Sequence, residues 1–209
     1  MKYLFFDIEC ADGIRMCSFG YVLVDEKFNI LSKKDILINP KCAFRLGRDE
    51  FDPNIELAYP VSEFLKQKVF PCYYDEIKNL IISKGVIPVG HSVLSDMSFI
   101  KFACNRYNLD LIEYRAFDTQ RAYALYSNSH NKKLHKIIEE LDIDESGLCE
   151  HKSCDDAEFT MRVAKKLCEI ESITMSELID RYPQAMFELK HEDEEEITEE
   201  KKFGRVSRK

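Results

Sequence analysis

The sequence predicts an α/β domain in which a β meander comes first and strands alternating with helices follow. Three observations lead there. Residues 2–9, KYLFFDIE, form a near-continuous apolar run, the pattern of a strand covered on both faces. Two more strand-like segments follow it with short connections. From Pro60 the apolar spacing turns helical and is interrupted by short apolar runs, as in alternating strands and helices.

Taken in order, SFGYVLVDEKFNIL reads as a strand entering a hairpin turn at DEKFN, and KKDILINP closes a third strand. Residues 41–54 show no period and carry Phe44, Arg45, Arg48 and Phe51, so they read as a loop. In PCYYDEIKNLIISKG, the residues Tyr73, Ile77, Leu80 and Ile81 fall on one helical stripe, and Gly85 ends it. VIPVGHS is a short strand. Ser92 or Ser95 can cap the helix that follows, whose apolar face is Phe99, Ile100, Ala103 and Tyr107. RAFDTQ is a strand end and turn, and TQRAYALY is a helix. NKKLHKIIEELDI is a short amphipathic helix through Leu134, Ile138 and Leu141. After the loop DESGLCEHKSC, a helix runs from near Asp155 to about Ile170, and ITMSELIDRYP is the last structured piece. The reading is one domain over residues 1–187 and a charged tail over 188–209, solvated or disordered because it is charge-dense and poor in apolar residues.

Composition narrows the function classes. Of 209 residues, 45% are apolar, which suits a globular core. No apolar stretch is long enough to span a membrane, and Met1-Lys2 runs straight into a strand without a signal-peptide pattern. A soluble, cytoplasmic protein is expected. The eight cysteines are scattered, with no CxxC pair, so reduced thiols are expected rather than disulfides. Cys149, His151 and Cys154 make one irregular cluster with no second half-site, and zinc is not expected there. The net charge of −8 argues mildly against a nucleic-acid binder. The tail, with eight acids and six bases, accounts for −2 of it. Acids that hold a divalent cation are neutralised in use, so the global charge is a weak veto.

The chemistry begins with Asp7 and Glu9. Residues two apart on a strand share a face, so both carboxylates project from one side while Phe6 and Ile8 point into a core. Such a pair repels itself unless a cation joins it, and a hard divalent ion prefers oxygen ligands. Asp96 falls in the first turn of a helix after a strand and a Gly-His turn. His151 lies in a loop five residues before Asp156, another helix-start acid. Asp96 and Asp156 taken singly read as acids favoured by a helix dipole.

In order, the chain carries a strand D-x-E, then GH-x4-D, then H-x4-D-A. With these pieces it resembles the DEDD-type 3′–5′ exonucleases of the histidine subclass, which include replicase proofreading subunits, RNase T and oligoribonuclease. The resemblance covers roughly residues 2–168, and Phe117–Thr119 (FDT) and the KLHKIIEELDI helix match as well. It implies a ribonuclease H-like fold, with a central mixed sheet flanked by helices. It also implies two Mg²⁺ or Mn²⁺ ions held by Asp7, Glu9, Asp96 and Asp156. Asp7 would bridge both ions, Glu9 and Asp156 would hold the one that activates water, and Asp96 would serve the leaving-group side. His151 would be the general base, a role suited to a side chain whose ordinary pKa is near 6.5. Ile8, Cys10 and His91 would meet the substrate, a single-stranded DNA or RNA 3′ end, and a DNA polymerase is a possible partner. Three positions depart from the family pattern: Cys10 stands where threonine is usual, Ser92 replaces an asparagine and Ser95 a phenylalanine. The alternative reading is a module of the same fold that binds nucleic acid or a polymerase with little catalysis.

Overall fold

A computed structural model of the chain describes residues 1–45 and 57–191. Arg48 and Phe51 of the irregular loop, and the tail from residue 192, lie outside them. Six strands form one sheet: β1 (Lys2–Cys10), β2 (Met16–Asp25), β3 (Ile30–Leu37), β4 (Val86–Gly90), β5 (Tyr114–Asp118) and β6 (Met186–Leu189). Their spatial order is β3-β2-β1-β4-β5-β6. The first three strands pair antiparallel, as the meander pattern predicts. β4 and β5 then add in parallel, reached through helices as parallel connections require. Among the described residues seven α-helices accompany the sheet: α1 (Val61–Leu65), α2 (Tyr74–Ile82), α3 (Val93–Arg106), α4 (Thr119–Tyr126), α5 (Leu134–Glu140), α6 (Ser153–Glu171) and α7 (Met175–Arg181).

The two faces of β1 feed two cores. Leu4, Phe6 and Ile8 join a buried cluster with Ile77 of α2 and Ile100 of α3. Tyr3 and Phe5 join a second cluster on the opposite face, with Ala157, Val163 and Leu167 of α6. Asp7 and Glu9 continue the Tyr3–Phe5 row, so they emerge where β1 passes under the start of α6. The mixed sheet with helices on both sides is the predicted fold class.

Two features go beyond the sequence reading. β6 pairs antiparallel with β5, matching Arg115 to Glu188 and Tyr114 to Leu189. The first residues assigned to the tail therefore belong to the sheet: MFEL is too short to show a period of its own, and its burial on β5 decides its state. Ser92 does stand at the start of α3, but in the left-handed conformation (φ 66°) and without a side-chain capping bond. Among the described residues no helix is long and apolar enough to cross a membrane.

Candidate active site

The site forms at the end of β1, where three distant segments meet. Their placement begins with register. Asp7 pairs with Gly20 and Glu9 with Ser18 on β2, and Gly20 pairs in turn with Asp35 on β3. Directly paired residues share a face. That row is the seat of α6. A Cβ on Gly20 would lie 2.1 Å from the Cys154 nitrogen and the Ser153 carbonyl carbon, so only glycine lets the helix come down on the sheet. The Ser18 and Ser153 hydroxyls hydrogen-bond each other. The Cys154 N–H donates to Asp35 Oδ1 at 2.7 Å, and Lys33 donates to Asp155 and, at 2.8 Å, to Glu158. The first turn of α6 is thus pinned to β2 and β3, and Asp156 within it is delivered to Glu9.

Glu9, His151 and Asp156 each present a ligand atom, and those atoms lie within 4.8 Å of one another. His151 Nδ1 is 3.7 Å from Glu9 Oε1, an ion-pair distance rather than a hydrogen bond. His151 takes a left-handed backbone (φ 59°), which turns its ring back over the sheet from the loop before α6. Asp7 lines the same cavity of about 230 Å³, whose walls also include His91, Lys133, His135 and Glu150, with Leu134, Ile138 and Phe159 as apolar surface. Asp96, only 4% exposed, is not on the cavity wall, though its charge reaches Asp7.

The electrostatics are those of a crowded anionic cluster. Burial first, then the charges of Asp96, Asp156 and Glu9, hold the Asp7 carboxyl well above the usual carboxylate range. Asp96 is raised likewise by burial, then by Asp118 and Glu9. Burial and Glu9 push Asp156 up to about 8. The Glu9 carboxylate raises His151. Asp96 Oδ2 is buried without a hydrogen-bond partner. An unpartnered buried carboxylate oxygen and three carboxyls driven toward protonation describe a site that lacks positive charge. Oxygen donors of this number suit a hard divalent cation, and the residues present fit one.

Of the residues expected at the substrate, His91 lines the cavity. Its Nδ1 lies 3.0 Å from Thr119 Oγ1 and its Nε2 lies 3.1 Å from the Lys132 carbonyl. Burial lowers its pKa to about 4, so the ring is neutral. Ile8 sends its side chain into the opposite core, leaving only main chain at this end of β1. Cys10 is half-buried, and burial pushes its thiol up to about 11, so it is a protonated thiol at neutral pH. Among the described residues, Cys149, His151 and Cys154 do not form a three-ligand group; the histidine turns instead to Glu9 and Asp156. The sequence reading missed Lys133, His135, Glu150 and Phe159 on the cavity wall. Lys133 and His135 flank Leu134, whose helical spacing was legible only as packing.

No protein-family model matches the chain, and no curated protein sequence matches it. Its backbone does match solved structures. The nuclease domain of 3′hExo, a DEDDh family member bound to rAMP, has a TM-score of 0.67 at 16% identity, over 81% of this chain and 92% of that one. E. coli Exonuclease I in complex with a dA16 oligonucleotide has a TM-score of 0.66 at 16% identity, over 88% of this chain and 43% of that one. S. pombe Pop2p in its Mg²⁺ and Mn²⁺ bound form has a TM-score of 0.60 at 15% identity, over 80% of this chain and 82% of that one. At these identities the likeness is one of fold. The chain spans less than half of Exonuclease I. The matched structures include one DEDDh family member, the 3′hExo nuclease domain, and the ribonuclease H-like frame is the one the motif order predicts.

Proposed function

We propose that the protein is a metal-dependent 3′–5′ exonuclease acting on single-stranded DNA or RNA. The observation that carries this reading is the meeting of Asp7, Glu9, His151 and Asp156 in one cavity, with buried Asp96 acting on Asp7 through its charge, on a frame like that of 3′-exonucleases. Asp7, Glu9, Asp96 and Asp156 would hold two divalent ions, Mg²⁺ or Mn²⁺. Bound there, such ions supply a nucleophile at neutral pH and relieve charge on the phosphate and leaving oxygen.

The chain's own residues do the rest. His151 stands on the open side of the cluster, half-buried beside Glu9 and Asp156, and accepts the proton of the attacking water. Lys133 lines the same cavity as the acids, where a phosphate backbone would meet its positive charge, and His135 lines it too. Leu134, Ile138 and Phe159 offer an apolar surface for the terminal base.

The test uses 3′-labelled and 5′-labelled oligonucleotides incubated with Mg²⁺ or Mn²⁺. Stepwise shortening from the 3′ end is expected, abolished by chelation. Asp7→Ala should cost on the order of 10³-fold or more, because it removes the ligand placed between the other acids. Activity that survives Asp7→Ala, or strand binding without turnover, would overturn the reading. Matched DNA and RNA 3′ ends in the same assay rank the two substrates.

A further inference from the structure

We infer that Asp118 is a positioning residue for this site, clasping the turn that carries His91 and launches the helix of Asp96; the inference rests on the metal-site reading above. Asp118 ends β5 and is 4% exposed. Its Oδ1 accepts from the Gln120 N–H at 2.8 Å and the Arg121 N–H at 3.2 Å, an ordinary N-cap for α4. The same carboxylate reaches across the sheet. Oδ1 also accepts from the Ser92 N–H at 3.2 Å, and Oδ2 accepts from the Val93 N–H at 3.0 Å. One side chain therefore caps two helices.

Helix α3 depends on it. Ser92 occupies the N-cap position with no side-chain capping bond of its own, so its first amides find their acceptor on β5. The next residue tightens the clasp: Thr119 Oγ1 donates to the Gly90 carbonyl at 3.1 Å and meets His91 Nδ1 at 3.0 Å. Residues 90–93 are thus held at four points by two consecutive residues at the junction of β5 and α4. Asp96 follows within the first turn of α3, so any slackening of that turn moves its carboxylate directly. Site geometry tolerates only about 0.5 Å of such movement.

A plain capping residue would stabilise the fold and nothing more, so the experiment separates the two roles. Asp118→Asn keeps the shape but sets an amide nitrogen against N–H donors: in place of Oδ2 it faces Val93, and in place of Oδ1 it faces Ser92, Gln120 and Arg121, so α3 loses an acceptor either way. Mn²⁺ binding, titrated calorimetrically without substrate, should weaken about tenfold, the usual effect of removing a residue that orients a ligand. Thr174→Ala removes the capping box of α7. It should lower the melting temperature and leave Mn²⁺ affinity unchanged. A folded Asp118→Asn protein with wild-type Mn²⁺ affinity, or an equal loss in Thr174→Ala, overturns the inference. Hydrogen exchange on the wild type gives a second measurement that needs no variant. Ser92 and Val93 amides protected like those of β1 support the clasp, and exchange at the unfolded-chain rate refutes it. The titration is independent of turnover, so Mn²⁺ binding without oligonucleotide shortening would defeat the exonuclease reading and leave Asp118 standing.

Discussion

At the scale of single residues, the site separates groups that charge the cavity from groups that move protons. His151 belongs to the second kind: it sits 3.7 Å from Glu9 and on the loop side of the cluster. His151→Ala should leave Mn²⁺ binding near wild type and lower kcat by about 10²–10⁴-fold, the range for loss of a general base. Equal loss of metal affinity and rate would make it a ligand instead. Ser92 shows a different economy. Its left-handed φ of 66° is strained for serine, whereas asparagine, usual in the family it resembles, visits that region more readily. Since its hydroxyl makes no capping bond, Ser92→Gly should relieve more strain than it costs in added freedom of the unfolded chain. A gain of roughly 0.5–1 kcal/mol is expected, read as a rise of about 1–4 °C in thermal unfolding. A fall would mean that the serine side chain has a role that its contacts do not show.

At the scale of elements, the decisive event is the descent of α6 onto β2. Gly20, opposite Asp7, leaves the space, and Ser18, Asp35 and Lys33 fasten the first turn. Gly20→Ala places a methyl group against main chain at 2.1 Å, which cannot yield as a flexible side chain would. The helix start must shift, at a cost of about 1–3 kcal/mol or more. Asp156 moves with it, so Mn²⁺ affinity should fall alongside stability. Unchanged affinity in a folded Gly20→Ala protein would show that α6 is not positioned this way. This is also where legibility in the sequence ends. The D-x-E strand could be read because alternation is local, and Asp96 and Asp156 could be read as helix starts. The glycine's purpose could not, because it depends on which β2 residue pairs with Asp7. Asp118 was visible only as part of FDT, since two of its acceptor bonds close over 25 residues or more. β6 was missed for the same reason: β5, not its own four residues, makes it a strand.

At the scale of the whole molecule, the fold holds an anionic cluster that the chain does not neutralise by itself. Without metal, Asp156 keeps its proton up to about pH 8, while in the unfolded chain it ionises near the ordinary value of about 3.8. Asp7 and Asp96 are raised in the same direction. Between those limits the folded state binds more protons than the unfolded one, so stability falls as pH rises. The sign is opposite to that of salt-bridged carboxylates, which favour folding as pH rises. A divalent ion reverses it, because it binds the ionised carboxylates and its affinity grows as protons leave. At a concentration of 100 Kd such an ion stabilises by about 2.7 kcal/mol, roughly 5–10 °C in a chain of this size. Thermal unfolding in EDTA should therefore show a melting temperature that drops from pH 5 to pH 8. The increment from added Mg²⁺ should be larger at pH 8 than at pH 5. The same series on Asp96→Asn should flatten the EDTA slope and shrink the Mg²⁺ increment, since one raised carboxyl and one ligand are gone. A wild-type melting temperature that rises with pH in EDTA, or a Mg²⁺ increment equal at both pH values, would show that the cluster's missing charge is not supplied by a metal.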